Sequence, residues 1–499
     1  MNIRKPTAIA AALLLSLGLS AQAADLFSLS SQRFAEGQSA YPFTFNTEQA
    51  FALPIGGKLG MPLPGGRRMT AILDRIETHL NGDRTWIGHM EGMYSDYRVM
   101  ITLGKGGVFG SVNTPHGLYT VSTSKNGFSS LDDQPANQRS EFISFHNDGR
   151  VPPRLPDIAH SVIEPVSNQF AENSTIDVMV LYTPDMASRY SPVDTLINDL
   201  IAKANQAYID SQIGITVRLV YSSQVNYTVK NDNDAALDAV TDATDAAFAN
   251  VASLRDQYGA DLVSVLRPFD RSSQNSCGVG WVGGAGGQSI SRYAPYGYSI
   301  VSYGNDVQGS RSYCSDYTLA HEMGHNMGSA HDRANSGSSG AFTYSYGYGI
   351  SGTFGTIMSY ISPKIGKFSN PAVTCNGNPC GISESDPTSS ANNALSLNNT
   401  RAAVAAFKPT KVTGGGTGTT TTDSDRVFNW AQVTYAGFLS PVTSQSQNGF
   451  GYYYRFYGTT NTYLGTKDNR LYFFNGSTGQ LTDLGDLSGW LTQAKNGGF

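Results

Sequence analysis

The sequence predicts an α/β (α+β) domain, a twisted mixed sheet with helices packed on one side, set between a β-rich N-terminal region and a small β-rich C-terminal domain. Three observations predict it. Between residues 176 and 407, apolar runs of strand length alternate with stretches of helical spacing. Between residues 70 and 112, strand-like runs flank Asn81-Gly82, a hairpin signal. Beyond residue 426, aromatic clusters are separated by Gly and Asn.

Residues 1–23 read as a secretory signal. Arg4 and Lys5 give a positive start, and Ala8 to Leu19 is too short to span a bilayer comfortably. Ala21-Gln22-Ala23 is a small-x-small cleavage site. A membrane anchor is the competing reading, and both the length and the cleavage signature count against it. The rest of the 499-residue chain has no other long apolar run, so a secreted mature form with no membrane span is expected.

Residues 24–171 form a β-rich region, with strands expected at Thr70 to His79, Arg84 to Met90, Tyr97 to Leu103 and Val108 to Val112. No catalytic constellation occurs there. Val151-Pro152-Pro153-Arg154-Leu155-Pro156 marks a boundary, because three prolines disfavour regular structure and such segments are open to proteolysis.

Residues 172–410 carry the alternating pattern. Ile176 to Tyr182 is a strand. Ser191 is placed to cap a helix with Pro192 at its first position, and Leu196, Leu200, Ala204 and Tyr208 follow at helical spacing up to Gly214. The next strand is Ile215 to Tyr221. A helix over Phe248, Val251, Leu254 and Tyr258 leads to the strand Leu262 to Leu266. Gly278 to Val282 reads as an edge strand and Tyr298 to Tyr303 as another, before a helix capped by Ser315 or Asp316. The helix from Leu397 to Phe407 either closes the back of the domain or leads over the surface to the linker. Residues 411–425 contain G-G-G-T-G-T-T-T-T, a flexible linker by composition. In residues 426–499, Tyr452, Tyr453, Tyr454, Phe456, Tyr457, Tyr463, Tyr472, Phe473 and Phe474 fit the core of a small β domain, or else a binding face.

A net charge of −5 without a basic patch argues against nucleic acid as a partner. Four cysteines suit an oxidising compartment. They allow three pairings, of which Cys277 with Cys314 and Cys375 with Cys380 is favoured. The second pair closes a loop containing the turn dipeptide Asn376-Gly377.

The chemistry concentrates in H-E-M-G-H-N-M-G-S-A-H-D, residues 321–332. On a helix, His321 and His325 share one face and can hold one zinc ion, with Glu322 beside it. Gly328 can take a positive φ, so the chain can turn and return His331 as a third nitrogen ligand. Three protein ligands leave a position open, as catalytic rather than structural zinc requires. A bare H-E-x-x-H arises by chance on surface helices. Here the third His is in register, and beyond residue 160 these are the only three histidines among the eight in the chain.

The extended motif resembles the metzincin metalloproteases. Gly355-Thr356-Ile357-Met358-Ser359-Tyr360 matches their Met-turn, whose methionine lies beneath the zinc ligands, although Met358 alone would pass for a core filler. Asp332 is similar to the reprolysin or adamalysin branch, and Tyr360 to astacins and serralysins. A closer resemblance is to the bacterial peptidyl-Asp (Asp-N-like) metallopeptidases. It rests on A-H-E-M-G-H-N-M-G-S-A-H-D, T-I-M-S-Y, K-F-S-N-P (residues 367–371), C-N-G-N-P-C (residues 375–380) and A-N-N-A-L-S-L-N-N-T-R, and covers roughly residues 172–409.

The resemblance implies a metzincin-like domain with one Zn2+ per chain and Glu322 as general base. It implies that residues 24–171 are a propeptide shielding the metal. Many such propeptides block zinc with a cysteine, and this region has none. His79, His89, His116, His146, His160 or an acidic residue could serve instead, the competing reading for each being an ordinary surface residue. Tyr360 is a candidate oxyanion donor. Protein or peptide substrates would bind extended along the edge near Gly278 to Gly283. Cleavage before acidic residues would need a cation in the pocket, with Arg311, Arg333, Lys364 and Lys367 as candidates. Ca2+ would suit an extracellular protease, but no loop has its ligand spacing. The alternative function is a catalytically silent scaffold used for surface binding or adhesion, against which the intact Glu322 argues. Oligomeric state is not legible.

Overall fold

The computed structural model describes residues 24–30, 40–93, 96–142, 148–152, 173–411, 427, 452–455, 462–475 and 478–496. The expected signal segment, Pro153 to Pro156 and residues 412–425 of the expected linker lie outside them.

The N-terminal unit is an up-and-down meander that closes on itself. Its strands are β1 (Phe27–Leu29), β2 (Ala40–Phe45), β3 (Lys58–Leu63), β4 (Arg67–Thr78), β5 (Arg84–Met90), β6 (Arg98–Gly104), β7 (Gly107–Thr114), β8 (Gly117–Thr123) and β9 (Ser129–Asp133). They lie in the order β1-β2-β9-β8-β7-β6-β5-β4-β3, all antiparallel. Leu26 N donates to Gly60 O and Gly60 N to Ala24 O, both at 2.8 Å, which joins the start of the chain to β3 and removes the open edge. Asn81-Gly82 makes the expected turn, with Gly82 at φ +87°. The interior is packed with side chains, among them Phe27, Trp86, Phe43 and Tyr119.

A helix, α1 (Thr47–Ala52), follows β2. In the next unit come α2 (Pro184–Arg189) and α3 (Val193–Asp210). The barrel wall rests on α3. Ile87 and Met100 pack on Ala202, and around them Arg98 Nε donates to Asp210 at 2.8 Å and Thr102 Oγ1 to Asp199 at 2.9 Å. Lys367 pairs with Asp96 at 2.5 Å.

The central sheet contains β12 (Ser174–Tyr182), β13 (Ile215–Gln224), β14 (Leu262–Pro268) and β16 (Tyr298–Asn305), parallel in the order β13-β12-β14-β16. The edge strand β15 (Gly278–Trp281) runs antiparallel to β16, and β17 (Ser312–Cys314) folds back on the end of β16. These strands fall where the apolar runs placed them, and the sheet is mixed as expected. The helices, however, cover both faces. α3, α6 (Thr318–Asn326) and α7 (Asn393–Val404) share one core with Ile176, Val178 and Val180. α4 (Asn233–Asp242) and α5 (Val251–Tyr258) share another with Met179, Leu181, Val263 and Val265. The cause is topological. The chain steps outward from β12 to β13, then back across β12 to β14, and right-handed crossovers in opposite directions put their helices on opposite faces.

Three helix starts differ from expectation. Pro192 is the N-cap of α3, and Ser191 makes no capping bond. α4 was not foreseen; Asp232 caps it by accepting from Ala235 N at 2.8 Å. Tyr317, not Ser315 or Asp316, is the N-cap of α6. Asp316 is drawn away by Lys203, which also pairs with Asp199 at 2.6 Å. The Lys203 side chain is 1% exposed. Burial weakens its charge, but the two carboxylates outweigh that and raise its pKa. Lys203→Met should therefore leave two carboxylates buried against each other. A loss of about 3–5 kcal/mol is expected, read as a lower denaturant midpoint for the unit holding α3 and α6.

α7 is not a surface helix. Leu397 and Val404 are buried in the core with α6, and Thr400 Oγ1 donates to Met327 O at 2.8 Å. Near the C-terminus, Tyr452–Arg455, Thr462–Lys467, Arg470–Asn475 and Gln480–Asp486 form a four-stranded antiparallel sheet. An unforeseen helix follows at Leu487–Asn496. Its described core centres on Val427, Leu464, Leu471 and Leu487, with Phe473 and Trp490 partly buried. Of the expected core aromatics, Tyr472, Phe473 and Phe474 are half-buried.

Candidate active site

α6 carries His321, Glu322 and His325, all buried. Its end is closed by two backbone bonds of 2.9 Å, Gly328 N to His325 O and Ser329 N to Gly324 O. Gly328 sits at φ +97°, as its position in the motif suggested. The turn returns the chain as Ala330–Asp332 and brings His331 back over the helix. His331 Nε2 then lies 3.1 Å from His321 Nε2 and 3.0 Å from His325 Nε2.

These contacts are not hydrogen bonds between partners. His321 Nδ1 faces Ile357 O at 2.7 Å and His325 Nδ1 faces Ser329 O at 2.9 Å. A carbonyl only accepts, so both Nδ1 atoms carry the hydrogen and both Nε2 atoms present lone pairs. A carboxylate joins them: Asp148 Oδ1 lies 2.5 Å from His331 Nε2 and 3.3 Å from each of the other two. Four buried residues therefore each offer one ligand atom, all within 4.8 Å of one another. Ligand nitrogens around a tetrahedral zinc stand about 3.3 Å apart, so the donor set fits a divalent cation in size and type.

Glu322 stands beside the cluster and outside it. Both of its carboxylate oxygens are buried with no hydrogen-bond partner among the described residues. Burial, and then the Asp148 charge, push its pKa well above the usual range. A Cβ on Gly278 would lie 2.3 Å from Glu322 Oε1, so the edge strand β15 passes directly over this carboxylate. Met358 is fully buried under α6, where a Cβ on Gly324 would come 2.7 Å from its sulfur. Tyr360 leans on His331 with ring centroids 4.3 Å apart, and its hydroxyl accepts from Asp148 N at 3.4 Å. Asp332 holds this turn by accepting from Tyr360 N at 2.9 Å.

Asp148 is the residue that sequence reasoning did not name. Only an unspecified acidic residue stood among the candidates. None of the described alternatives reaches the cluster: His79 bonds Thr85 and His89 bonds Asp74, while His146 and His160 lie outside the described residues. Burial works against the Asp148 charge, but the imidazoles of His331 and His321 hold its pKa well below the usual carboxylate range. β11 (Gly149–Arg150) runs parallel to β15 and takes its outer edge. Gly280 N donates to Asp148 O at 3.1 Å and Val282 N to Arg150 O at 2.7 Å. A Cβ on Gly149 would lie 2.9 Å from His325 Cε1, so only glycine permits this close pass. An Asp-Gly pair just before the proline-rich boundary was the available signal.

Both expected disulfides form. Cys277–Cys314 ties the start of β15 to the end of β17, next to α6, and Cys375–Cys380 closes a short hairpin with Asn376 and Gly377 at positive φ.

Comparison with known proteins agrees with this geometry. Residues 173–386 match the model of the reprolysin-like metallopeptidases of family M12B. Over that stretch the chain is similar to the reprolysin-like metallopeptidases. Residues 22–131 match a BamI lipocalin-like domain, in keeping with the closed barrel. Three curated relatives are named peptidyl-Asp metalloendopeptidase. The one from Pseudomonas aeruginosa is 32% identical over 49% of this chain and 42% of its own length. The one from Xanthomonas campestris is 29% identical over 47% and 52%. A third, from Stenotrophomonas maltophilia, is 24% identical over 69% and 81%. The match thus spans about half the length of the first two relatives. No helix among the described residues is long and apolar enough to cross a membrane.

Proposed function

We propose that this chain is the secreted precursor of a zinc endopeptidase that cuts extended peptides before acidic residues, and that Asp148 keeps the precursor latent. The observation that carries the reading is the buried, unpartnered Glu322 carboxylate beside three converging imidazoles. Secretion is supported by four cysteines that are all paired. The preference is supported by the name shared by the three relatives.

His321, His325 and His331 would hold zinc, which when bound supplies Lewis acidity and lowers the pKa of a water it holds toward ~7. Glu322 takes the proton of the attacking water and passes it to the leaving amine. The Tyr360 hydroxyl donates to the oxyanion, at the place where it now bonds Asp148 N. Gly280 N and Val282 N, now bonded to the N-terminal segment, would take the substrate backbone. Asp148 must therefore leave before substrate enters.

The test is metal removal. Processed protein should contain one zinc by elemental analysis, lose peptide hydrolysis on dialysis against a chelator, and regain it with added zinc. A folded product without stoichiometric metal, or with hydrolysis indifferent to the chelator, would sink the reading.

A further inference from the structure

The recess that holds Asp148 and His321 extends past Glu322 and Tyr360. It is lined by Glu141, His321, Glu322, Tyr360, Lys364 and Ile365, among others, and about 40 Å³ of it is open. Lys364 follows the turn that carries Met358 and Tyr360, so its ammonium is fixed relative to the metal site. It donates to Ser359 O, and reaches Ile357 O at 3.4 Å. Two carbonyls use two of its three hydrogens, and the third remains for a carboxylate. The other cations suggested by the sequence are engaged elsewhere. Arg333 bonds Ser390 and Thr343, Lys367 bonds Asp96, and Arg311 bonds Gln138. None of these three lines the recess.

What enters the recess now comes from the N-terminal unit. β10 (Ser140–Glu141) pairs in parallel with β17, Glu141 opposite Tyr313. Backbone bonds from Ser140 N to Arg311 O (2.9 Å) and Phe142 N to Tyr313 O (2.8 Å) pin it. Glu141 lines the recess together with Ser315 and Lys364, while Asp148, seven residues on, sits on the imidazoles. Burying a carboxylate is costly without a cation opposite, and here the cation is part of the wall.

We propose that this recess takes the acidic side chain of the substrate residue following the cut, that Lys364 is the cation selecting it, and that Glu141 fills it in the precursor. The inference rests on the peptidase reading above. One N-terminal segment then blocks the site twice, with Asp148 at the metal and Glu141 at the selecting pocket.

The test is a cleavage profile. Wild-type processed enzyme and Lys364→Met, Lys364→Arg and Lys364→Glu variants are incubated with a peptide set varying only the residue after the cut, as Asp, Glu, Leu or Lys. The ratio of kcat/KM for Asp over Leu should fall at least tenfold in Lys364→Met, be largely kept in Lys364→Arg, and fall furthest in Lys364→Glu. An unchanged ratio in Lys364→Met and Lys364→Glu overturns the proposal while leaving the peptidase intact. If the wild type cleaves none of the peptides, the peptidase reading itself fails. A second measurement covers poor folding of these variants. In the unprocessed chain, Glu141→Lys should speed the appearance of activity, and Glu141→Lys with Lys364→Glu should slow it again. Independent effects of the two changes would also overturn the proposal.

Discussion

Glu322→Ala is expected to slow peptide hydrolysis by about 10²–10⁴-fold while the processed protein still binds one zinc. The two halves of this result come from the same geometry. The converging atoms belong to Asp148, His321, His325 and His331, and Glu322 is not among them. Removing it should leave the metal in place. Alanine is the best helix former, so α6 should survive the change. The side chain costs stability rather than supplying it, because its two oxygens are buried without partners among the described residues. A folded state at least as stable as wild type is therefore expected, measured by thermal unfolding. Equal activity in the two proteins would mean that the scaffold is silent or that another group serves as base. Loss of metal with loss of activity would mean that Glu322 is a ligand.

The histidine cluster was legible because a helix fixes spacing. His321 and His325 had to share a face, and Gly328 had to turn the chain, whatever the rest of the fold did. Met358 and Tyr360 were legible by resemblance, and the structure supplies a physical reason for the first: Gly324 leaves room for the Met358 sulfur. The central strands were legible because parallel strands buried on both faces read as continuous apolar runs, such as Val178 to Leu181. The second helix layer was not, because which face a helix covers depends on strand order, and strand order is not written in any one segment. The cap of α6 failed for a related reason. Asp316 is a good capping residue by type, but Lys203, 113 residues away, claims its carboxylate. Asp148 was hidden most deeply. One aspartate among the 39 acidic residues carries no mark of its own until β11 and β15 are paired.

Asp148→Ala should open the metal to ligands while the N-terminal unit stays in place. The side chain contributes the only carboxylate among the converging ligand atoms, whereas the backbone holds the segment down. Gly280 N donates to the Asp148 carbonyl and Val282 N to that of Arg150, and both bonds survive the substitution. Arg150 also pairs with Asp238 at 2.7 Å and lies over Trp281 at 4.5 Å. The barrel remains tied to α3 through Arg98 and Asp210. The variant is best made in the Glu322→Ala background, so that the chain cannot process itself. A fluorescent hydroxamate, which needs an accessible zinc, should then bind the unprocessed Asp148→Ala chain at least tenfold more tightly than the unprocessed parent. Asp148→Asn, which keeps an oxygen but loses the charge, should fall between the two. Equal binding to all three would show that the metal is covered by backbone rather than by the Asp148 carboxylate. Latency would then rest on β11 lying along β15, and only cutting the chain would release it.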